Sequence, residues 1–301
     1  TLFLASRVLV SDRKDPEHQR GIRCKQRFVQ LVSDRRSEMR NSNETGNLAA
    51  QAAAWYRSLP AATRWVLTLC VGIFLITIFV GFDGFGSVCM APLLYVRHYQ
   101  VYRGFTSVVF HAGILHILFN MLAFVPLGSS LERSVGTVQF VHAILLFCAA
   151  GSVLHAALGY ALALSPVLPQ QQELTRCAIG FSGVIFGLIV VDNATNASSS
   201  RSIFGLFRVP SQWYPWTLLV VFQVAMPNVS FLGHLSGLLV GLMYVNGLLS
   251  WLQMAPRTVS FLEAKLAEAM PSLVESNSFI NYAGGSTSSL YEACSSGGGG
   301  G

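Results

Sequence analysis

Long apolar runs separated by short polar or glycine-broken stretches dominate the chain between residues 65 and 251. The first, Trp65 to about Phe82, supplies the roughly 17–18 residues a helix needs to cross a hydrocarbon core. Arg64 and Trp65 form its interfacial anchor. Residues 83–106 are too polar, and too broken by glycine and Pro92, to span. Five further spans are predicted: Ser107–Leu127, Val138 to about Leu164, Gly180–Val191, Tyr214–Met226 and Leu232 to about Trp251. The fifth is short and opens on an aromatic belt of Trp213, Tyr214 and Trp216. Gly128–Gly136 reads as a tight loop, 165–177 as a polar loop, and 192–213 as an Asn- and Ser-rich loop. The pattern predicts an all-α, polytopic membrane protein with six transmembrane helices.

The flanks differ. Residues 1–46 are polar and Arg-rich, with neither an initiator Met nor a secretory signal pattern, and are expected to be disordered. Asn47–Leu59 is an Ala-rich helix candidate that stops before Pro60. Beyond Pro256, Ser260-Phe261-Leu262-Glu263 has the capping-box pattern and predicts a short amphipathic helix. The Ser/Gly-rich tail from Ser276 is expected to be disordered. Three parts result: a polar N-terminal region (1–63), a six-helix domain (64–252) and a C-terminal tail (253–301).

Composition strengthens this picture. The chain is 52% hydrophobic and 11% charged, against about 25% charged in ordinary globular chains, which excludes a soluble enzyme of this size. A net charge of +6 could suggest nucleic acid, but 12 of the 20 Lys and Arg precede residue 65. That bias reads as a cytoplasmic flank under the positive-inside rule, with no nucleic-acid partner. Both termini are then cytosolic. Inner loops carry Arg133, Arg201 and Arg208, with Arg257 and Lys265 on the C-terminal flank; outer loops carry Arg97, Arg103 and Arg176. The six cysteines are scattered without a CxxC pair, so neither a disulfide scaffold nor a zinc site is expected. Cys89 and Cys177 could face one another in a lumenal compartment, though nothing in their spacing calls for a bond.

In this topology the second, fourth and sixth spans all run inward from the outer face. Their N-terminal ends hold His111, His116 and Asn120, then Ser182 within Gly180-Phe181-Ser182-Gly183, then His234 within Gly233-His234-Leu235-Ser236-Gly237. Ionisable and polar groups at membrane depth are costly and functional by default. Gly183-x3-Gly187 and Gly237-x3-Gly241 let two helices approach closely, which could bring Ser182 and His234 within the roughly 2.6–3.2 Å of a nucleophile and its base. His116 and Asn120, at i and i+4, share a helix face. With the Ser182 backbone N–H they could donate to a developing oxyanion.

Blander readings stand beside these. Small residues pack between spans routinely, so Gly-x-Ser-Gly alone is weak. An intramembrane histidine can simply be hydrogen-bonded in the bundle, and His142 and His155 are read that way. His111, His116 and His234 could in principle ligate a metal, but no HExxH motif supports a zinc protease. No acidic pair within the spans supports an aspartyl mechanism. A Ser–His dyad without cofactor or metal is the remaining reading.

Together, Tyr102-Arg103-Gly104-Phe105-Thr106, His111-x4-His116-x3-Asn120, Glu132-Arg133, Gly180-Phe181-Ser182-Gly183 and His234-x2-Gly237-x3-Gly241 resemble the rhomboid family of intramembrane serine proteases, in that family's order. The stretches 177–186 and 231–244 look most like its plant rhomboid-like subgroup, which includes an endoplasmic-reticulum rhomboid of membrane-protein quality control. The resemblance implies Ser182 as nucleophile, His234 as general base, and His116 and Asn120 as the oxyanion hole. Gly180, Gly183, Gly237, Gly241, Phe186 and His111 would support them. The loop between the first two spans would lie partly in the outer leaflet, and the fifth span with Met226–Phe231 would gate a substrate helix.

Three departures are visible. Phe186 stands where many relatives have Tyr, keeping the stacking on histidine without the hydroxyl. The inner-loop Glu-x-Arg reads Glu132-Arg133-Ser134. No ubiquitin-binding module of the kind relatives often carry follows Pro256, and the terminal glycine run reads as truncation. The expected activity is cleavage of transmembrane proteins in or beside their membrane segments. A catalytically inactive client-binding relative is the alternative; a transporter lacks support, since intramembrane charge pairs and inverted repeats are absent.

Expected partners are transmembrane substrates, the lipid bilayer and quality-control proteins reached through the cytosolic tail. The expected location is the endoplasmic reticulum or another secretory membrane. The Arg-rich N-terminus leaves an organellar alternative, against which Asp15, Glu17, Asp34 and Glu38 argue. Asn193 and Asn196 lie in sequons that should stay unglycosylated if their loop is cytosolic; Asn228 lies in a lumenal one too near the membrane for transfer.

Overall fold

A computed structural model describes residues 48–167, 170–196 and 198–282. The expectations for residues 1–46 and for the last residues of the tail lie outside them. Helix α1 (Leu48–Ser58) matches the Ala-rich segment predicted before Pro60. The body that follows is built on α2 (Ala61–Phe79), α6 (Ile114–Val135) and α7 (Thr137–Ala163), each long and apolar enough to cross a membrane. The short helices α3 (Phe85–Val88), α4 (Pro92–Arg97) and α5 (Arg103–Val109) fill the connection between α2 and α6.

The other three apolar helices are shorter: α8 (Ser182–Thr195), α9 (Tyr214–Ala225) and α10 (Phe231–Val245), of 14, 12 and 15 residues. At about 1.5 Å per residue they reach roughly 18–23 Å, less than the ~30 Å hydrocarbon core. All six predicted spans are therefore present as helices, three full-length and three short.

The packing is that of a bundle in lipid. Phe124, Phe140, Phe181, Leu188 and Tyr244 are buried at its centre, while Leu69, Ile76 and Phe79 of α2 and Ile114, Leu118 and Leu122 of α6 face outward. Helix α9 packs on a second, smaller apolar cluster of Phe186, Val190, Ile203, Leu218, Leu219 and Leu238.

Several expectations need correction. The predicted loop at Gly128–Gly136 is helical up to Val135, because an apolar surrounding makes the backbone satisfy its own hydrogen bonds; Gly128 packs under Phe124 and Thr63, which a Cβ there would meet at 3.0 and 3.2 Å. The second span accordingly starts at Ile114 rather than Ser107, and the preceding residues form α5. The sixth helix ends at Val245, not near Trp251. The 192–213 loop contains an antiparallel hairpin, β1 (Ser200–Ile203) with β2 (Phe207–Pro210), paired Ser200 to Pro210 and Ile203 to Phe207.

The tail differs most. Helix α11 runs Pro256–Ala269, so Ser260 lies inside it and the capping box is not formed; proline at its first position, where the missing N–H is harmless, starts it instead. A short α12 (Pro271–Val274) follows. Ser276–Tyr282 is not loose but returns to the bundle. The Ser278 carbonyl accepts from Ala61 N at 2.8 Å and the Ile280 carbonyl from Thr137 N at 2.8 Å. Each fills an orphan donor at a helix N-terminus. Ile280 N donates to Thr137 Oγ1 at 3.0 Å, Tyr282 N donates to Glu263 Oε1 at 2.9 Å, and Phe279 is buried. Gly136, at φ +89°, lies beneath this segment, where a Cβ would meet Tyr282 N at 3.1 Å.

Beside the clasp, the carboxylate of Glu132 is fully buried. It accepts from Ala62 N (2.9 Å), Thr63 N (2.8 Å), Thr63 Oγ1 (2.8 Å) and Thr137 Oγ1 (2.7 Å). A carboxylate at two helix N-termini is favoured by their dipoles as well as their free N–H groups. Glu132 therefore ties α2, α6 and α7 at one end of the bundle.

Candidate active site

Helices α8 and α10 approach so closely that glycine is obligatory along the seam. A Cβ on Gly237 would lie 1.9 Å from the Gly183 carbonyl oxygen, one on Gly241 2.7 Å from that of Gly187, and one on Gly183 3.0 Å from that of Gly233. The two predicted GxxxG faces thus mesh, as small residues allow in lipid. Ser182 opens α8 and His234 lies in the first turn of α10, so the contact joins them: His234 Nε2 is 2.8 Å from Ser182 Oγ. For Nε2 to accept the serine proton, the imidazole must carry its own hydrogen on Nδ1.

The histidine is held from three sides. Its ring stacks on Phe186 at 4.8 Å with a 33° tilt, and Phe222 meets Phe186 edge-on from α9. Ser230 Oγ caps the helix by accepting Gly233 N at 3.1 Å, and His234 N bonds to the Ser230 carbonyl. This cap was not predicted from the sequence, although a serine immediately before an apolar run is the usual signal. Among the described residues no group accepts from Nδ1, and no carboxylate completes a triad.

Helix α6 contributes the third part. His116 is in its first turn and Asn120 one turn later. Gly180, at φ +113°, brings the backbone against the His116 ring; a Cβ there would sit 2.5 Å from His116 Nε2. Asn120 donates one amide hydrogen to the His116 carbonyl at 2.8 Å, leaving its second hydrogen for another acceptor. Ser182, at the head of α8, presents a backbone N–H with no intrahelical partner. His111, by contrast, is buried against His116 (centroids 5.1 Å apart) and does not line the site. It supports His116 rather than facing Ser182. Among the described residues no three His, Cys, Asp or Glu side chains converge as a metal-ligand set.

These groups border a cavity of about 470 Å³, lined by His116, Ser182 and His234 together with Ser152, His155 and Asn228. A smaller hollow of about 40 Å³ between α6 and α9 is lined by His116, Asn120, Phe222, Met226 and His234. An acyl group reaching Ser182 would place its carbonyl oxygen among the donors from α6 and α8, with an imidazole ready to take the serine proton. That arrangement can perform nucleophilic acyl transfer.

Two supports come from the loop between α2 and α6, and each was only partly legible in the sequence. Cys89 and Cys177, which the sequence allowed to face one another without calling for a bond, form a disulfide, and Cys177 lines the cavity. Arg103, read as an outer-loop charge within the Tyr102–Thr106 motif, is buried and donates through Nη1 to the carbonyls of Gly86 (2.8 Å) and Cys89 (2.7 Å).

Comparison with known proteins agrees with the architecture. A family model described as Rhomboid domain matches residues 98–251. The chain is 40% identical to Rhomboid-like protein 15 of Arabidopsis thaliana over 235 residues, which is 78% of this chain and 58% of that protein. It is 37% identical to human Rhomboid-related protein 4 over 141 residues, 47% of this chain and 44% of the relative. With Rhomboid-type serine protease B of Aspergillus fumigatus it shares 29% over 169 residues, 56% of this chain and 59% of the relative. The aligned regions span about half the length of these curated relatives.

Proposed function

The chain belongs to the rhomboid family, and on that premise we propose that it is an intramembrane serine endopeptidase that cleaves transmembrane proteins through a Ser182–His234 dyad. The observation that carries this reading is the 2.8 Å hydrogen bond between Ser182 Oγ and His234 Nε2 at the head of two glycine-meshed helices.

In this mechanism His234 takes the serine proton as Oγ attacks the scissile carbonyl. The negative charge that forms is stabilised by the Ser182 N–H, His116 and the free amide hydrogen of Asn120. His234 then protonates the leaving amine, and water in the cavity hydrolyses the acyl-enzyme by the same route in reverse. Backbone amides in lipid are internally satisfied, so a substrate helix must unwind to expose its scissile bond. Substrates with Gly, Pro or polar residues near the outer membrane boundary follow from this requirement. Access runs between α6 and α9, where the small hollow opens and α9 rests on the lesser of the two apolar clusters.

We place both termini in the cytosol and the site near the outer face of an endoplasmic-reticulum or other secretory membrane. A disulfide in the outer loops suits an oxidising lumen. Quality-control partners would be reached through the cytosolic tail. The test is reconstitution of the full chain in liposomes with a single-span protein bearing a Gly- and Pro-containing boundary. Cleavage there, mapped by mass spectrometry and lost in Ser182→Ala, is the expected result. Stable binding of that protein without cleavage by the wild type would favour the client-binding alternative.

A further inference from the structure

The extended segment leading into Ser182 is fastened from outside the site. Cys177, five residues before the nucleophile, is bonded to Cys89 in the α3–α4 connection, with Cα atoms 5.4 Å apart. One residue further along each strand, Met90 and Ala178 form an antiparallel bridge: Met90 N donates to the Ala178 carbonyl at 2.8 Å, and Ala178 N to that of Met90 at 2.9 Å. Gly180 N then donates to the Ser107 carbonyl at 2.8 Å. Arg103 anchors the other side by binding the Cys89 carbonyl itself. What this segment delivers is the site: Gly180 against the His116 imidazole, Phe181 edge-on to Phe124, and the Ser182 N–H.

We propose that the Cys89–Cys177 disulfide is a positioning element for the oxyanion-binding side of the site, and that its reduction loosens this side and slows acyl transfer. The activity consequence rests on the protease reading above. Cys177 is exposed whereas Cys89 is buried, so a dithiol reductant reaches the Cys177 sulfur. The reductant's thiolate bonds to Cys177 Sγ as the Cys89–Cys177 bond breaks, and Cys89 Sγ leaves with the electron pair and takes a proton. The reductant's second thiol then displaces Cys177 Sγ, which is also protonated. Two electrons pass to the protein, and the reductant becomes a disulfide.

The experiment uses the full chain, produced in an oxidising secretory compartment and blocked with an alkylating agent before purification. Hydrogen exchange at Ala178 and Gly180 and the rate of fluorophosphonate labelling of Ser182 are measured before and after dithiothreitol, and in the Cys89→Ser/Cys177→Ser double variant. Reduction is expected to speed exchange at both amides and to slow labelling about tenfold, less than outright removal of an oxyanion donor. Exchange within α7 should stay unchanged, which separates local loosening from unfolding. The double variant should match the reduced wild type and ignore dithiothreitol. Free Cys89 and Cys177 thiols in the oxidised preparation, unchanged exchange, or faster exchange with unchanged labelling would each overturn the proposal. A wild type that labels in neither redox state would sink the protease reading, and exchange alone would then decide the positioning.

Discussion

Helix α6 carries a buried polar cluster at each end, and the two are built on opposite principles. At Glu132 four donors converge on one carboxylate, so both oxygens are partnered. Sixteen residues earlier, about 24 Å along the helix, lies the group around His116. There, among the described residues, Asn120 Oδ1 and His234 Nδ1 have no protein partner. Buried polar groups are ordinarily satisfied, and leaving them unsatisfied is costly. The satisfied end holds three helices together, while the other end keeps two donors free, the second amide hydrogen of Asn120 and the Ser182 N–H, which the proposed mechanism aims at a reacting carbonyl. On the proposed mechanism, stability and chemistry are separated along one helix, and substitutions at the two ends should separate them in turn.

The largest expected effect lies at the reacting end. Ser182→Ala should lower turnover by about 10⁴-fold or more while costing at most about 1 kcal/mol of stability, since it removes the proposed nucleophile and cuts only its one bond to His234. Differential scanning fluorimetry beside a cleavage assay checks both parts. Gly237→Ala should blur the contrast. Its Cβ would strike the Gly183 carbonyl at 1.9 Å, so α8 and α10 must part, costing about 1–3 kcal/mol and roughly 100-fold in turnover through a misplaced dyad.

His116→Ala should cost about 10²–10³ in kcat with KM little changed, which steady-state kinetics on a soluble ester can resolve. Glu132→Gln should do the reverse. It replaces charge-assisted bonds to Ala62, Thr63 and Thr137, destabilising the fold by about 2–4 kcal/mol, while the folded fraction keeps its specific activity. The smallest effect is expected from ending the chain after Glu275. Losing the carbonyls that cap Ala61 N and Thr137 N should lower stability by about 1–2 kcal/mol; an unchanged midpoint would mean that the clasp at 276–282 does not hold the bundle.

The reacting end was legible because lipid makes polar side chains conspicuous. Ser182, His234, His116 and Asn120 stand out in apolar runs, and the shared direction of three spans brings them to one depth. The glycine seam was readable for the same reason, as Gly183, Gly187, Gly237 and Gly241 are spaced for close approach. The structural end was harder to read. Gly128-Ser129-Ser130 has turn propensity, but an apolar surrounding forces the backbone to satisfy itself, and it stays helical. The hairpin at 200–210 was hidden in a polar stretch, and the Cys89–Cys177 pairing could be named but not required, because its partners lie 88 residues apart in sequence without a motif. The clasp left a fainter trace. Phe279, Ile280 and Tyr282 are apolar exceptions in a Ser/Gly-rich tail, and Phe279 and the backbone around Ile280 make its contacts.

The most direct test of the dyad is fluorophosphonate labelling of the detergent-solubilised chain, comparing wild type with Ser182→Ala and His234→Ala. A serine activated by the 2.8 Å bond to His234 predicts a covalent adduct on Ser182 in the wild type alone. A folded wild type that stays unlabelled, or an adduct that persists in His234→Ala at the wild-type rate, would contradict it.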